Sequence, residues 1–372
     1  MSTAAARTLS ESGEPPGLGE RVVAMCLKLG FARAGVCDAH ATDYAAELDA
    51  WLHAGKAGSM GYLAQHAEIR KDPALFVPGV QSFIMVADQY HARGGHESTP
   101  ASGEGRVARY AQGRDYHIEM KDRLHTLADR LRDNFAGETF RAFVDTAPVL
   151  EREHAARAGL GWIGKHTLLI HPTLGSWVFL GGIATTLKIP VPRGQEVVMD
   201  HCGSCTRCIE ACPTGAITER SVDASRCISY LTIEHRGDVA EELADKLGGW
   251  VFGCDVCQEV CPHNSPRGGG VDVGRAHEAY APRVQSLGLL ELLGWRREDR
   301  SRVLSGSAMK RARLSMLKRN AMLLMMKVVK ERSAGDDACV QLKERLLAIA
   351  GDASEEDVVR FEAERCLRRL GS

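Results

Sequence analysis

Apolar residues recur at helical spacing from Leu18 to Leu29 and again from Asp43 to His53, which predicts two amphipathic helices. Between them Phe31 to Val36 reads as a short strand that begins after Gly30. Ser82 to Ala87 is a continuous apolar run, the pattern of a strand covered on both faces, and Gly94 to Gly105 is a Gly/Ser/Pro-rich loop. Tyr116 to Phe135 carries Leu124, Leu127 and Leu131 on one face of a long helix. Phe140 to Val144 follows as a strand, then a turn at Asp145-Thr146 and a helix begun by Pro148, a residue suited to a first turn. Thr167 to Ile170 and Trp177 to Leu187 are further strands. Interleaved strands and helices predict an α/β or α+β unit over residues 19–198.

From residue 284 to 370 the pattern turns wholly helical, with Ala308–Val329, Ala338–Ala350 and Glu355–Leu370 separated by Gly/Asp-containing breaks. Their spacing suggests stacked antiparallel pairs of the HEAT type over 284–372. Between the two halves lie a cysteine-rich module, 199–265, and a Pro/Gly linker, 266–283. The fold class expected is a multidomain α+β protein.

The remaining bulk properties exclude more than they assign. A 44% hydrophobic, 26% charged chain of 372 residues is globular, and no apolar run approaches the length of a membrane span. Residues 1–18 read as a flexible tail without the apolar core of a signal peptide. Metal-ligand cysteine spacing without such a signal points to reducing cytoplasm. A net charge of −1 gives no overall attraction for nucleic acid, so binding of that kind needs a local patch.

Candidate chemistry is concentrated in the cysteines. Of 12 in the chain, eight fall between residues 202 and 261. Cys202, Cys205, Cys208 and Cys212 precede Pro213 at x2, x2, x3 spacing, the run of two-cluster bacterial ferredoxins, in which the fourth cysteine ligates the other cluster. Cys254, Cys257 and Cys261, followed by Pro262, form a second run one thiol short, and Cys227 makes up the deficit. Crossing then assigns Cys202, Cys205, Cys208 and Cys261 to one [4Fe–4S] cluster, and Cys212, Cys227, Cys254 and Cys257 to another. Paired Cys-x2-Cys units also suit two structural zinc sites, a less specific match. Cys26, Cys37, Cys339 and Cys366 read as buried apolar thiols. Gly159-x-Gly161-x-x-Gly164 approaches a dinucleotide fingerprint but follows a predicted helix where a strand is required.

The segments Phe143–Glu151, Gly159–Lys165, Cys227–Glu234 and Gly253–Gln258 resemble those of bacterial epoxyqueuosine reductases, and with the cysteine order the likeness spans about residues 20 to 265. The resemblance implies reduction of epoxyqueuosine to queuosine at the wobble position of tRNAs with GUN anticodons (Asp, Asn, His and Tyr acceptors). It implies two [4Fe–4S] clusters, an N-terminal cobalamin-binding domain like that of reductive dehalogenases, and base-off cobalamin. Composition and spacing do not reveal the cobalamin, and no Asp-x-His-x-x-Gly run is present to supply a lower ligand. An external low-potential electron donor and a monomeric state go with this picture. Asp145 matches the family's proton donor, a role that requires a raised pKa, whereas without the resemblance it reads as a helix N-cap. Arg70 matches a cobalamin-contacting arginine, and Tyr110, Lys165, His166, Thr232 and Asp255 lie in matching segments as further cofactor contacts.

Between Arg302 and Arg332 stand nine basic residues against one acidic, Glu331. Lys310, Arg311, Arg313, Lys318 and Arg319 crowd the start of one predicted helix, with Leu314, Leu317, Met322 and Met325 facing the core, and are the candidate phosphate contacts. A solvated helix face is the plain alternative. Two other functions fit parts of the chain: reductive dehalogenation of a small molecule with the same cofactors, and an electron-carrier subunit. The first sits poorly with the basic C-terminus, and the second leaves the residues before the cysteines unexplained.

Overall fold

A computed structural model describes residues 15–92, 100–265, 276–330 and 336–371. Most of the predicted tail, the first half of the Gly94–Gly105 loop (residues 94–99), residues 266–275 of the predicted linker, and Glu331 and Arg332 lie outside the described residues.

The principal sheet is antiparallel, in the order β1 (Arg33–Asp38), β2 (Ser82–Gln89), β5 (Val178–Thr185), β4 (Phe140–Phe143). The N-terminal unit is therefore α+β, and among the described residues its principal sheet is antiparallel throughout. Successive β2 side chains alternate between two cores, as strand geometry demands. Ile84 and Val86 face helix α1 (Leu18–Lys28) and helix α3 (Tyr116–Asn134), among Val22, Met120, Leu124, Leu127 and Leu131. Phe83, Met85 and Ala87 face the opposite side, with Phe143, Val149, Ala155 and Ala158. Because both faces are covered, every residue of β2 is buried, which is why its sequence shows no polar alternation. Helix α2 (Ala45–His53) lies outside this core and buries no residue completely.

The predicted helix at Pro148 begins later. Helix α4 spans Glu151–Arg157 with Leu150 as its N-cap, and no side chain caps it. Asp145 is thus six positions upstream of the helix and is not its cap. The reason is local: β4 ends where Phe143 pairs with Gly182, and the chain then needs two tight turns before it can wind. Thr146 N–H donates to Val144 C=O at 2.6 Å around Asp145, and Val149 N–H donates to Ala147 C=O at 2.8 Å around Pro148. Asp145 takes φ = 51°, a left-handed conformation that costs a non-glycine residue energy and clusters at functional positions.

A second sheet joins distant stretches of the chain. Strand β3 (Glu104–Val107) pairs in parallel with β6 (Trp250–Phe252) and antiparallel with β7 (Ser286–Gly288). Residues 284–370 are consequently not wholly helical: β7 comes from the predicted helical region and completes a sheet begun near residue 104. Helix α5 (Ile228–Ile233) follows Cys227, and α6 (Leu314–Lys330), α7 (Asp337–Gly351) and α8 (Asp357–Gly371) close the C-terminus. Leu317, Met322 and Met325 of α6 are buried in the same continuous core that holds Phe252 and Leu231, while Leu314 is partly buried. Among the described residues no helix is long and apolar enough to cross a membrane.

Candidate active site

The turn after β4 delivers Asp145 into a recess. Protein surrounds its carboxyl, yet 59% of the side chain is accessible, so it lines open space instead of filling the core. Helix α3 supplies its partner. Asp115 caps that helix by accepting from His117 N–H at 3.0 Å, and the same oxygen lies 2.8 Å from His117 Nδ1. His117 Nε2 reaches Asp145 Oδ2 at 3.0 Å, and the imidazole stacks on Tyr116 with centroids 4.0 Å apart. Both ring nitrogens face carboxylates, which favours the imidazolium, the form that donates twice. Burial disfavours that charge, but the two carboxylates prevail and lift the His117 pKa to about 9. For Asp145 burial pushes upward, while bonds from His117 and from the Tyr116 hydroxyl pull further down, leaving its carboxyl below the usual range. The direction is opposite to the raised Asp145 pKa that the proton-donor role requires, and the group of the pair favoured to hold the proton is His117.

Around Asp145 the recess gathers residues from five stretches of sequence. Tyr62 lies under the Arg311 guanidinium, 5.8 Å from ring centroid to cation, and Arg311 pairs with Glu234 at 2.7 Å. Segment 59–62 is held by the Tyr230 hydroxyl, which accepts from Ser59 N–H at 2.7 Å. Burial raises the Tyr62 and Tyr110 hydroxyls, and the charges of Glu234 and Asp145 add to both. Arg70 is half-buried, its pKa lowered by burial against the charges of Glu151 and Tyr62. Arg70, Tyr110 and Asp145 are therefore brought together and remain partly accessible.

The other four predicted cofactor contacts are not available through their side chains. Thr232 is fully buried; its hydroxyl donates to Ile228 C=O at 2.8 Å and accepts from Gly253 N–H at 2.9 Å. It braces the residue before Cys254, and Gly253 (φ = 71°) must be glycine because a Cβ would stand 2.5 Å from that of Ala108. Asp255 is 1% exposed, accepts from Arg109 N–H at 2.7 Å, and belongs to a buried ion network with Arg109 and Glu259. Lys165 is buried beside Glu219, 3.5 Å away. His166 is buried with Nδ1 accepting from Leu168 N–H, and burial lowers its pKa to about 4, so it is a neutral packed histidine.

The eight thiols of the cysteine module are all free of disulfides. Burial raises Cys261 to about 11, with Cys202, Cys208 and Cys205 as the thiols whose charges act on it. Burial likewise raises Cys254, whose neighbouring thiols are Cys227 and Cys212, and Cys257, beside Cys254 and Cys227. Cys261 thus lies near Cys202, Cys205 and Cys208, Cys254 near Cys227 and Cys212, and Cys257 near Cys254, Cys227 and Cys208. Among the described residues no three His, Cys, Asp or Glu side chains close on one ion-sized site. Buried thiols that hold their protons until metal displaces them fit a cluster donor set.

The basic run divides. Lys310 and Arg311 stand on a 3-10 turn, Ala308–Arg311, and Arg313 on extended chain before α6; all three are exposed. Lys318 and Arg319 are inside the protein, 3% and 0% exposed. Lys318 pairs with Glu355, and the Arg319 guanidinium donates to the carbonyls of Leu231 (2.5 Å), His235 (2.8 Å) and Gly237 (2.6 Å). Neither can reach a phosphate, and the five do not share one helix, because Lys310, Arg311 and Arg313 precede α6.

His117, Tyr62, Glu151, Arg152 and Glu234 border the recess without having been singled out from sequence. Glu151 and Glu234 end two of the segments that carry the family resemblance, a usable signal; His117, 28 residues from Asp145, offers none.

Comparison with known proteins gives the same picture. The family model described as epoxyqueuosine reductase QueG, DUF1730, matches residues 70–146, and that described as a 4Fe-4S double cluster binding domain matches residues 201–264. The chain is 43% identical over 255 residues to an epoxyqueuosine reductase of Xanthomonas campestris, covering 68% of this chain and 71% of that one. It is 37% identical over 366 residues to the epoxyqueuosine reductase of Pseudomonas aeruginosa, covering 96% of each. A crystal structure of epoxyqueuosine reductase with an epoxyqueuosine-modified tRNA-Tyr stem loop superposes with a TM-score of 0.75 at 26% identity, covering 95% of this chain and 98% of that one. With relatives this similar over two thirds or more of its length, and with both family models matched, the chain belongs to the epoxyqueuosine reductase family.

Proposed function

We propose that this protein reduces epoxyqueuosine to queuosine at the wobble position of tRNA, using two [4Fe–4S] clusters and cobalamin. The observation that carries the reading is the accessible Asp145–His117 pair on a chain whose cysteine module matches a 4Fe-4S double cluster binding domain. Removal of an epoxide oxygen needs electrons on one side of the substrate and an acid on the other. Cys202, Cys205, Cys208 and Cys261 would hold one cluster, and Cys212, Cys227, Cys254 and Cys257 the other. Arg70, Tyr110 and Tyr62 would border the cobalamin, which when bound supplies a two-electron centre fed by single electrons from the clusters. Base-off cobalamin is the form this reading expects, and His117, committed to two carboxylates, would not be among the residues that hold it.

In this reading Asp145 touches the leaving oxygen and His117 holds the proton at rest. Hydrogen bonding between them lets the proton pass to the oxygen as negative charge develops there, while Asp115 fixes the imidazole. The left-handed turn at Asp145 aims its carboxyl off the end of β4 into the recess. Lys310, Arg311 and Arg313 would receive tRNA phosphates, Arg311 standing over the Tyr62 ring. Residues 19–198, 199–265 and 284–372 would then divide the work as cofactor site, electron relay and tRNA grip. The test is mass analysis of nucleosides from epoxyqueuosine-containing tRNA incubated with the reduced holoprotein. Queuosine, lighter by one oxygen atom, is expected; unchanged epoxyqueuosine alongside intact clusters and corrinoid would sink the assignment.

A further inference from the structure

Asp255 stands between Cys254 and Cys257 of the second cysteine run and is almost wholly enclosed. A carboxylate in such a place needs a counter-charge, because a buried ion without one is costly. Arg109 supplies it from 146 positions earlier in the chain. Its backbone N–H donates to Asp255 Oδ2 at 2.7 Å, and its Nη1 lies 3.4 Å from the same oxygen and 3.0 Å from Glu259 Oε1. The buried Trp177 ring covers the guanidinium, 4.8 Å from centroid to Cζ. Glu259 also pairs with Arg106 at 2.7 Å, so it keeps a cation when Arg109 is removed.

The second sheet makes this meeting possible. Arg106 lies in β3, and Arg109 opens the 3-10 turn Arg109–Ala111 that follows it. Arg106 N–H donates to Gly249 C=O at 2.8 Å, and Ala108 N–H donates to Phe252 C=O at 2.9 Å. Pairing with β6, the strand that leads into Cys254, therefore carries both cations to the cysteine run.

The net charge around an iron–sulfur cluster is one of the quantities that set its reduction potential. Each electron taken up adds negative charge to a centre already surrounded by thiolates, so a nearby anion opposes reduction and a nearby cation favours it. Enclosure strengthens both effects, because little water is present to screen them. We propose that Arg109 sets the reduction potential of the cluster held by Cys254 and Cys257, by cancelling the charge of Asp255 within the ligand run. The inference rests on the two-cluster reading given above. Arg109 acts through Asp255 and is a positioning residue for electron transfer. The step it governs moves one electron from the donor, which is oxidised, to the cluster, which is reduced, with no bond made or broken.

The test is a redox titration of the full chain with its clusters and cobalamin, with dithionite as reductant and each cluster followed by its electron paramagnetic resonance signal. Arg109→Gln leaves Asp255 without this cation and is expected to make reduction of one cluster about ten-fold less favourable, about 59 mV lower for a one-electron couple. Asp255→Asn leaves the guanidinium in excess and should raise the potential of the same cluster by a similar amount. The double variant R109Q/D255N should return to within about two-fold of the unaltered protein, because the two charges are removed together. The other cluster serves as the internal reference and should stay in place throughout. Single variants that shift the potential in the same direction, or leave it unmoved, would reduce the network to a packing device, as would a shift shared equally by both clusters. If R109Q loses iron, the sign of the shift in D255N decides alone. A loaded preparation without acid-labile sulfide would refute the cluster reading and this inference with it; two intact clusters without the opposed shifts would refute this inference only.

Discussion

Arg319 offers the sharpest test of the claim that part of the basic run is internal. Its guanidinium is fully buried and satisfies three backbone carbonyls at the end of α5, while Asn320 donates to Thr232 C=O at 2.9 Å and Val251 C=O at 3.0 Å. Burial lowers its pKa to about 10, which leaves it charged at neutral pH. Arg319→Met keeps most of the volume and removes every donor. Hydrogen bonds from a charged donor each contribute about 1.5–3 kcal/mol net, and the carbonyls left behind carry a desolvation cost. Three such bonds set a gross loss near 4–9 kcal/mol, which water entry and local relaxation reduce to about 4 kcal/mol. With a urea dependence of about 3 kcal/mol per molar, the unfolding midpoint should drop by more than about 1 M. Tryptophan fluorescence in urea, followed on the cluster-loaded protein, reads this directly, and tRNA affinity of the folded variant in buffer should stay within about two-fold. A variant of normal stability whose tRNA affinity collapses would show the guanidinium on a phosphate, and the buried clamp would be wrong.

Asp145→Asn should keep fold, iron content and corrinoid uptake while lowering turnover at least about a hundred-fold, as loss of a positioned acid does; near-normal turnover removes it from the chemistry. His117→Gln should remove the alkaline limb near 9 from the rate profile. The raised folded pKa of His117 gives stability that is full below the unfolded value near 6.5 and is lost as pH rises through about 9, so the thermal stability difference between H117Q and the unaltered protein should shrink across that window. A difference that grows with pH would contradict the protonated pair. Neutralising Lys310, Arg311 and Arg313 together should flatten the salt dependence of tRNA binding by about two to three in log–log slope, without moving the urea midpoint by more than the exposed Arg311–Glu234 pair is worth, about 0.2–1 kcal/mol. An unchanged slope would place the phosphates elsewhere.

The long helices and the central strands were legible because burial of one face leaves a period in the sequence: Leu124, Leu127 and Leu131 line the inner side of α3 as their spacing indicates. The Ser82–Ala87 run, without alternation, correctly reported a strand covered on two faces. The start of α4 was misjudged, since Pro148 carries a helix-start signal but the departure from β4 demands two turns first. Strand β7 was missed because three residues have no period to read, and only pairing with β3, some 180 positions earlier, makes them a strand. Charge was the least dependable guide. Lys318 and Arg319 look like surface residues, but a guanidinium can be buried wherever enough carbonyls converge on it, and those come from residues 231–237.

By itself the sequence determined what is local in chemistry. Thiols at fixed short spacing, with prolines that turn the chain, specify a cluster donor set because neighbouring ligands must reach one small inorganic core. The same holds for the strand-to-turn segment that presents Asp145. Tertiary structure alone decided protonation and accessibility. Whether Asp145 or His117 carries the proton depends on Asp115 and Tyr116 arriving from another element and on how much water each group loses. Which of the predicted contacts can meet a ligand depends likewise on burial: Arg70 and Tyr110 stay partly open, while Thr232, Asp255, Lys165 and His166 are closed in. Solvation is a property of the assembled surroundings of a group, and those surroundings are drawn from positions that sequence proximity does not connect.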